Sequence, residues 1–266
     1  MKVERGREVV LAVEQLDIGT GVTAIVGPNG SGKSTLLHAI TGLLRVSGTV
    51  DVLSRAPSDV RGRVAYVLQT QHASEHLLVT AREVVTLGRA PSRGPFRPLT
   101  ATDRAAVDDA MARLEISDLA GRHLADMSGG QRQRVFVAQG LAQRGDILLL
   151  DEPVAGLDIA STQRIRQVIA EERTAGRTVV GATHDLGDAA RADRAVLLDR
   201  RVIAAGSPAD VLTPEHLRTA YGARVLDLGG GSLAVDDGAH HDDHEHHHHE
   251  HRPTEHRDAE RRDEPT

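Results

Sequence analysis

The amino-acid sequence predicts an α/β fold built around a mostly parallel β-sheet. Runs rich in valine, isoleucine and leucine indicate strands buried on both faces, and they lie at residues 22–26, 64–68, 147–151, 178–183 and 195–199. Segments of helical length, such as 33–43 and 159–175, separate several of these runs. Because strands that alternate with helices form parallel sheets covered on both faces, this order predicts the α/β class.

Two parts of the chain depart from this alternation. Residues from about 80 to 144 show a mostly helical pattern, which indicates a helical insertion in the α/β core. From residue 229 onward the chain is rich in aspartate, glutamate, histidine and arginine, so it cannot bury enough apolar surface to fold. We therefore predict a folded domain over residues 1–228 and a disordered tail over residues 229–266.

Amino-acid composition excludes several kinds of site and partner. The chain has no cysteine, so disulfides and thiolate metal sites are excluded, and no apolar run is long enough to span a bilayer. Residues 236–266 hold 11 acidic and 4 basic side chains, a balance of -7, so the tail accounts for the whole net charge of -6 and the rest of the chain is nearly neutral. A nearly neutral body with 2% aromatic residues argues against a nucleic-acid partner.

The sequence GPNGSGKST, residues 27–35, matches the phosphate-binding pattern G-x-x-x-x-G-K-[ST] between a predicted strand and a predicted helix. Glycines let the backbone wrap around phosphate oxygens. The backbone amides just before the helix can then point inward at the phosphate, next to the positive end of the helix. A glycine-rich turn before an ordinary helix is the alternative, but Lys33 is one of only two lysines in the chain. We expect Lys33 to contact the β- and γ-phosphates and Ser34 to bind Mg²⁺. The predicted phosphate-binding loop comprises Gly27, Pro28, Asn29, Gly30, Ser31, Gly32, Lys33, Ser34 and Thr35.

The sequence DILLLDEP, residues 146–153, is a hydrophobic strand that ends in two carboxylates. Strands often end in an acid at a turn for structural reasons alone. After a phosphate-binding loop, however, an acid at the end of a neighbouring strand is where a ligand for Mg²⁺ is needed. We therefore expect Asp151 to bind Mg²⁺ through water, and Glu152 to polarise the water that attacks the γ-phosphate.

Between these motifs lies MSGGQRQRVFVAQGLAQ, residues 127–143, and here the chain resembles the ATP-binding subunits of ABC transporters, whose signature is LSGGQ. Met127 replaces the leucine, a swap of similar volume. The resemblance covers about residues 1–225 and implies a P-loop NTPase (RecA-like) core, an N-terminal antiparallel β part and a helical subdomain at about 72–142. Ser128 is expected to cap a helix whose start faces ATP bound by a second copy. The residues that the resemblance implies would contact this ATP are Ser128, Gly129, Gly130 and Gln131.

Three further motifs match the family in the expected order. Gln69 matches the glutamine that senses Mg²⁺, Asp158 matches a loop that contacts the partner subunit, and His184 matches the histidine that reaches the γ-phosphate. The resemblance thus implies a catalytic set of Glu152, His184 and Gln69, and a Mg²⁺ set of Ser34, Gln69 and Asp151. The family usually stacks an aromatic residue on adenine, but Arg5 falls near that place, so its guanidinium plane is our candidate.

The resemblance also implies cofactors, partners and location. We expect an ATPase that uses ATP and Mg²⁺ and forms a homodimer in the ATP-bound state. It would sit as a peripheral subunit on the cytoplasmic face of the cell membrane. Its partners would be an integral membrane permease and an extracytoplasmic solute-binding protein.

Two features point to the transported substrate. Residues 84–134 and 206–222 resemble ATPases of importers for zinc or manganese and for iron chelates, haem or cobalamin. In the tail, histidines alternate with acids, which suits Zn²⁺, although a purely solubilising tail is equally compatible. The candidate zinc ligands are His240, His241, His244, His246, His247, His248, His249 and His251. We predict a zinc importer ATPase, with an iron-siderophore, haem or cobalamin importer and a non-transport ABC ATPase as the alternatives.

Overall fold

The computed structural model of the protein describes residues 1–6, 8–68, 78–93, 98–222, 225–227 and 233–235. The chain begins with an antiparallel pair of strands, β1 (Lys2–Arg5) and β2 (Glu8–Ala12). This pair is the N-terminal antiparallel part that the sequence led us to expect.

A six-stranded sheet forms the centre of the fold. It comprises β3 (Val22–Val26), β4 (Val64–Val67), β5 (Ile147–Asp151), β6 (Thr178–Thr183), β7 (Arg194–Leu198) and β8 (Val202–Gly206). The spatial order is β4-β5-β6-β3-β7-β8, and all neighbours are parallel except β7 and β8. All five predicted strands are present, so the predicted α/β class is confirmed.

Helices cover the sheet and form the insertion between β4 and β5. After β3 comes α1 (Lys33–Ile40). The insertion contains α2 (Ala81–Leu87), α3 (Ala90–Arg93), α4 (Ala101–Arg113) and α5 (Gly129–Ala142). The remainder are α6 (Ile159–Thr174), α7 (Leu186–Ala190), α8 (Pro208–Val211) and α9 (Pro214–Tyr221). Within the described ranges, no helix is both long enough and apolar enough to cross a bilayer.

The core explains why the central strands are continuous hydrophobic runs. Every residue of β5 is buried, because apolar clusters pack on both faces of the sheet. On one face α5 packs closely on β4, where a side chain at Gly140 would collide with Val67. On the other face α1 packs against β5 and β6 through Leu36 and Leu37. The insertion is therefore held to the sheet by α5.

One short pair of strands differs from the sequence prediction. β9 (Val225–Asp227) pairs antiparallel with β10 (Leu233–Val235), which lies inside the segment predicted to be disordered from residue 229. Leu233 and Val235 are apolar, and valine favours strands, so the argument from the charged composition of the tail does not apply to them. Residues 236–266 lie outside the described part of the chain.

A cluster of ion pairs joins the helical insertion to α6. Arg113, the last residue of α4, contacts Glu171 at 3.0 Å and Glu172 at 2.7 Å. Glu172 is only 3% exposed and also pairs with Arg177, whereas the side chain of Glu171 is 37% exposed. Because a buried carboxylate needs charged partners, Glu172 depends on this cluster far more than Glu171 does.

Substituting each glutamate tests this difference. We expect Glu172→Ala to lower the free energy of unfolding by about 3 kcal/mol, because it leaves Arg113 and Arg177 without their shared buried partner. The matched Glu171→Ala should cost about 1 kcal/mol or less, since that pair is partly solvated. Urea unfolding monitored by circular dichroism measures both values, and equal losses would contradict this account.

Candidate nucleotide site

The phosphate-binding loop runs from β3 to the first turn of α1, and its backbone requires glycine at three places. Gly30 and Gly32 have φ angles of 79° and 100°, in the region that side chains disfavour. A Cβ on Gly27 would collide with the carbonyl oxygen of Leu198 on β7. A Cβ on Gly32 would lie 3.2 Å from Leu11, so β2 packs directly against the loop.

Lys33 folds back over this loop. Its Nζ donates to the carbonyl oxygens of Gly27 at 2.8 Å and Pro28 at 3.2 Å, and the residue is 6% exposed. The turn between β7 and β8 stabilises the same loop, because the backbone amide of Arg200 donates a hydrogen bond to the carbonyl oxygen of Ser31 at 2.8 Å. Ser31 is 1% exposed, and its hydroxyl has no hydrogen-bond partner in the described part of the chain.

The two predicted acids follow one another at the end of β5, but they occupy different environments. Asp151 is 4% exposed and accepts a hydrogen bond from the Tyr66 hydroxyl at 3.2 Å through Oδ2. Its other oxygen, Oδ1, is buried and has no partner among the described residues. Burial and the nearby Asp151 charge raise the pKa of Tyr66, so its hydroxyl stays neutral and can donate.

Glu152 lies between two nitrogen-bearing side chains. Its backbone has a φ of 47°, a strained left-handed conformation for a non-glycine residue, and its amide donates to the carbonyl of Ala182 at 3.0 Å. One carboxylate oxygen is 3.7 Å from Nδ1 of His184 and the other is 3.9 Å from Nζ of Lys33. Hydrogen bonding to His184, and then the charge of Lys33, lower the pKa of Glu152 although burial acts in the opposite direction. Glu152 is therefore ionised at neutral pH and can accept a proton.

The signature segment forms the start of α5. Ser128 accepts from the amide of Gln131 at 3.2 Å, and Gln131 accepts in return from the amide of Ser128 at 3.0 Å. This capping box confirms the predicted N-cap. Both Ser128 and Gly129 are exposed, so the positive end of α5 faces outward.

Asp158 caps the next helix, α6, by accepting from the Ser161 amide at 2.8 Å. That hydrogen bond lowers the pKa of Asp158. A Cβ on Gly130 would collide with Asp158 and Ser161, so the signature segment and the start of α6 touch within one chain.

The predicted site residues thus fall into two groups. Lys33, Glu152 and His184 meet beside the phosphate-binding loop, where Ser34 and Thr35 lie in the first turn of α1 and Asp151 ends β5. The second group is the signature segment with Asp158. Arg5 is exposed at the end of β1, opposite Glu8 of β2. Gln69 and the tail histidines lie outside the described residues.

The first group fits a nucleoside triphosphate with Mg²⁺. The first turn of α1 contains no acid, so its amides and Lys33 present positive charge to an anion. The buried oxygens of Ser31 and Asp151 that lack a partner among the described residues offer a hydroxyl and a carboxylate to a ligand or a hydrated cation.

Two contacts of this site were absent from the sequence prediction. Tyr66 was assigned only to a strand, although the alternation of β4 places it on the face of α1. Arg200 acts through its backbone amide, so no property of its side chain could have identified it.

Residues 15–155 match the sequence model of the family described as ABC transporter. The chain belongs to the ABC transporter family. The match contains the phosphate-binding loop, the signature segment and the two acids Asp151 and Glu152. His184 lies beyond it, and its assignment as a site residue stays a prediction.

Curated relatives belong to importers of several substrates. The chain is 44% identical over 213 residues to the cobalamin import ATP-binding protein BtuD of Halobacterium salinarum, covering 77% of this chain and 52% of that protein. It therefore spans about half the length of that relative. The manganese transport system ATP-binding protein MntB of Halalkalibacterium halodurans is 37% identical, with 74% of this chain and 79% of that protein covered. The zinc transport system ATP-binding protein TroB of Treponema pallidum is 39% identical, with 77% of each covered.

A solved structure extends the likeness to the fold. The dimeric structure of a bacterial ABC transporter cassette superposes with a TM-score of 0.66 at 28% identity, and the match covers 78% of this chain and 95% of that chain. The P-loop NTPase core is therefore the fold of this protein.

Two adjacent glycines of the signature allow a matched test of its packing. We expect Gly130→Ala to lower the free energy of unfolding by about 2 kcal/mol, because the added methyl group meets Asp158 and Ser161. Gly129→Ala should be neutral or slightly stabilising, since no atom lies within 4 Å of the added carbon and alanine favours helix. Thermal unfolding of both variants measures the difference, and equal stability would refute the packing argument.

Proposed function

We propose that the protein is the ATP-binding and ATP-hydrolysing subunit of an ABC importer for a metal ion or metal chelate. The observation that carries the proposal is the meeting of Lys33, Glu152 and His184 over the positive end of α1. The names of its curated relatives, which belong to cobalamin, manganese and zinc import, support the substrate class.

The proposed site residues each take one task in hydrolysis. The loop amides and Lys33 would hold the β- and γ-phosphates, and Ser34, Asp151 and Gln69 would hold Mg²⁺. When bound, Mg²⁺ neutralises charge on the phosphate oxygens. Glu152 takes a proton from the attacking water as the water oxygen bonds to the γ-phosphorus and the bond to the β-phosphate oxygen breaks. His184, whose Nδ1 lies 3.7 Å from a carboxylate oxygen of Glu152, would orient that carboxylate and reach the γ-phosphate.

A second copy of the chain completes the site in this proposal. Ser128 and Gly129 at the start of α5 are exposed, and this positive helix end suits the phosphates of ATP bound by the other copy, which the segment from Ser128 to Gln131 would contact. Asp158 lies next to this surface and would contact the partner as well. The similar bacterial ABC transporter cassette, which was solved as a dimer, supports this arrangement.

The dimer would transmit its motion to other subunits. We propose an integral membrane permease and an extracytoplasmic solute-binding protein as partners, with this chain peripheral on the cytoplasmic face. The importer names of the relatives support these assignments.

Glu152→Gln tests the catalytic assignment. Because glutamine cannot accept the proton, we expect the rate of ATP hydrolysis to fall about 100-fold or more while ATP affinity is retained. Phosphate release and equilibrium binding of a fluorescent ATP analogue give the two quantities. Glu4→Gln, at an exposed position of β1, is the control with the same change of charge. Normal hydrolysis by Glu152→Gln would remove Glu152 from the mechanism.

Zinc is the specific substrate that we propose. The interleaved histidines and acids of residues 240–251 suit Zn²⁺, and one zinc transport relative supports the choice. The cobalamin relative, which has the higher identity of 44%, supports a cobalt-containing chelate as the second candidate. The proposed zinc-holding role of the tail is separate from the nucleotide site.

Metal content of native cells distinguishes these substrates. Under metal limitation, cells carrying Glu152→Gln should show a selective fall in zinc relative to wild type, because uptake needs hydrolysis. Elemental mass spectrometry of zinc, manganese, iron and cobalt gives the readout. The same measurement on cells carrying a chain that ends at Val235 tests separately whether the tail contributes to zinc uptake. A fall in manganese, iron or cobalt instead would overturn zinc, and no change in any metal would overturn metal import.

A further inference from the structure

The two oxygens of Asp151 are not equivalent, and one neighbouring side chain accounts for the difference. Oδ2 accepts the hydrogen bond from Tyr66 at 3.2 Å, whereas Oδ1 is buried without a partner in the described ranges. A carboxylate with one occupied oxygen cannot rotate freely about its last bond. The occupied oxygen therefore determines which way the open oxygen points.

Tyr66 is itself held in place by the fold. It lies in β4 directly beside Leu149 of β5, two residues before Asp151, on the face of the sheet that α1 covers. The ring of His38, from α1, meets the Tyr66 ring edge-on with centroids 5.4 Å apart and an interplanar angle of 88°. Since α1 begins at Lys33, one helix carries both the phosphate-binding lysine and the residue that packs on Tyr66.

We propose that Tyr66 is a positioning residue that fixes the Asp151 carboxylate so that Oδ1 faces the Mg²⁺ site. The inference rests on the proposed function, because it needs ATP and Mg²⁺ to bind beside Lys33 and Asp151. Tyr66 touches neither ligand. It acts through Asp151, and its hydroxyl, rather than its ring, performs this role.

The inference predicts a selective loss of metal affinity in Tyr66→Phe. Mn²⁺, followed by electron paramagnetic resonance, replaces Mg²⁺ in a titration of the full chain with a non-hydrolysable ATP analogue. Loss of one hydrogen bond to a charged group should raise the Mn²⁺ dissociation constant about tenfold. The affinity for the analogue in the presence of EDTA should not change, because phenylalanine keeps the ring packed on His38.

Controls separate positioning from a loss of structure. Tyr66→Met, which also lacks the hydroxyl, should weaken Mn²⁺ binding in the same way, and Asp151→Asn should weaken it further. An unchanged Mn²⁺ affinity in Tyr66→Phe would overturn the inference. Equal losses of Mn²⁺ and metal-free nucleotide binding would also overturn it, since they indicate a general structural effect. Failure of the wild-type chain to bind Mn²⁺ with the analogue would instead overturn the proposed function, and this inference with it.

Discussion

The need to keep charged groups in place within a buried site governs the structure around β5. Lys33 is 6% exposed and Asp151 is 4% exposed, and removing such groups from water costs several kcal/mol each unless partners replace the water. The fold provides those partners with loop carbonyls for Lys33 and a hydroxyl for Asp151. One oxygen of Asp151 remains open. The site is therefore incompletely satisfied within the described protein, at the place where a cation would complete it.

The strained backbone of Glu152 belongs to the same constraint. A left-handed conformation turns the chain sharply after Asp151, so that consecutive acids project into different surroundings. The amide of Glu152 is still satisfied by Ala182 of β6, which limits the cost of the turn. As a result Asp151 is held by Tyr66, while Glu152 reaches Lys33 and His184. Two neighbouring carboxylates thereby lie in different environments, which suits the different tasks that we propose for them, metal binding and proton transfer.

The sequence predicted those parts of the fold that follow from local patterns. Continuous apolar runs gave the five central strands, and glycine spacing before Lys33 predicted the loop that bends around phosphate. Ser128 was predictable as an N-cap because a serine followed three residues later by glutamine forms a capping box. The pairing of Tyr66 with Asp151 was not predictable in this way, since it joins residues 85 positions apart. Arg200 and the Arg113 cluster depend on the same kind of distant contact. The strand at Leu233–Val235 was missed because three apolar residues are too few to outweigh a polar surrounding sequence.

The helix α6 connects the two groups of site residues through its ends. Asp158 caps its start and touches Gly130 of the signature segment. Near its other end, Glu171 and Glu172 hold Arg113 of the helical insertion. The insertion is thus attached to α6 at two places as well as to the sheet through α5. If two copies close on ATP through their signature segments, force on the start of α5 reaches α6 directly. The chain after Glu152 leads directly into α6, so a movement of α6 relative to β5 would also shift the carboxylate of Glu152, our proposed proton acceptor.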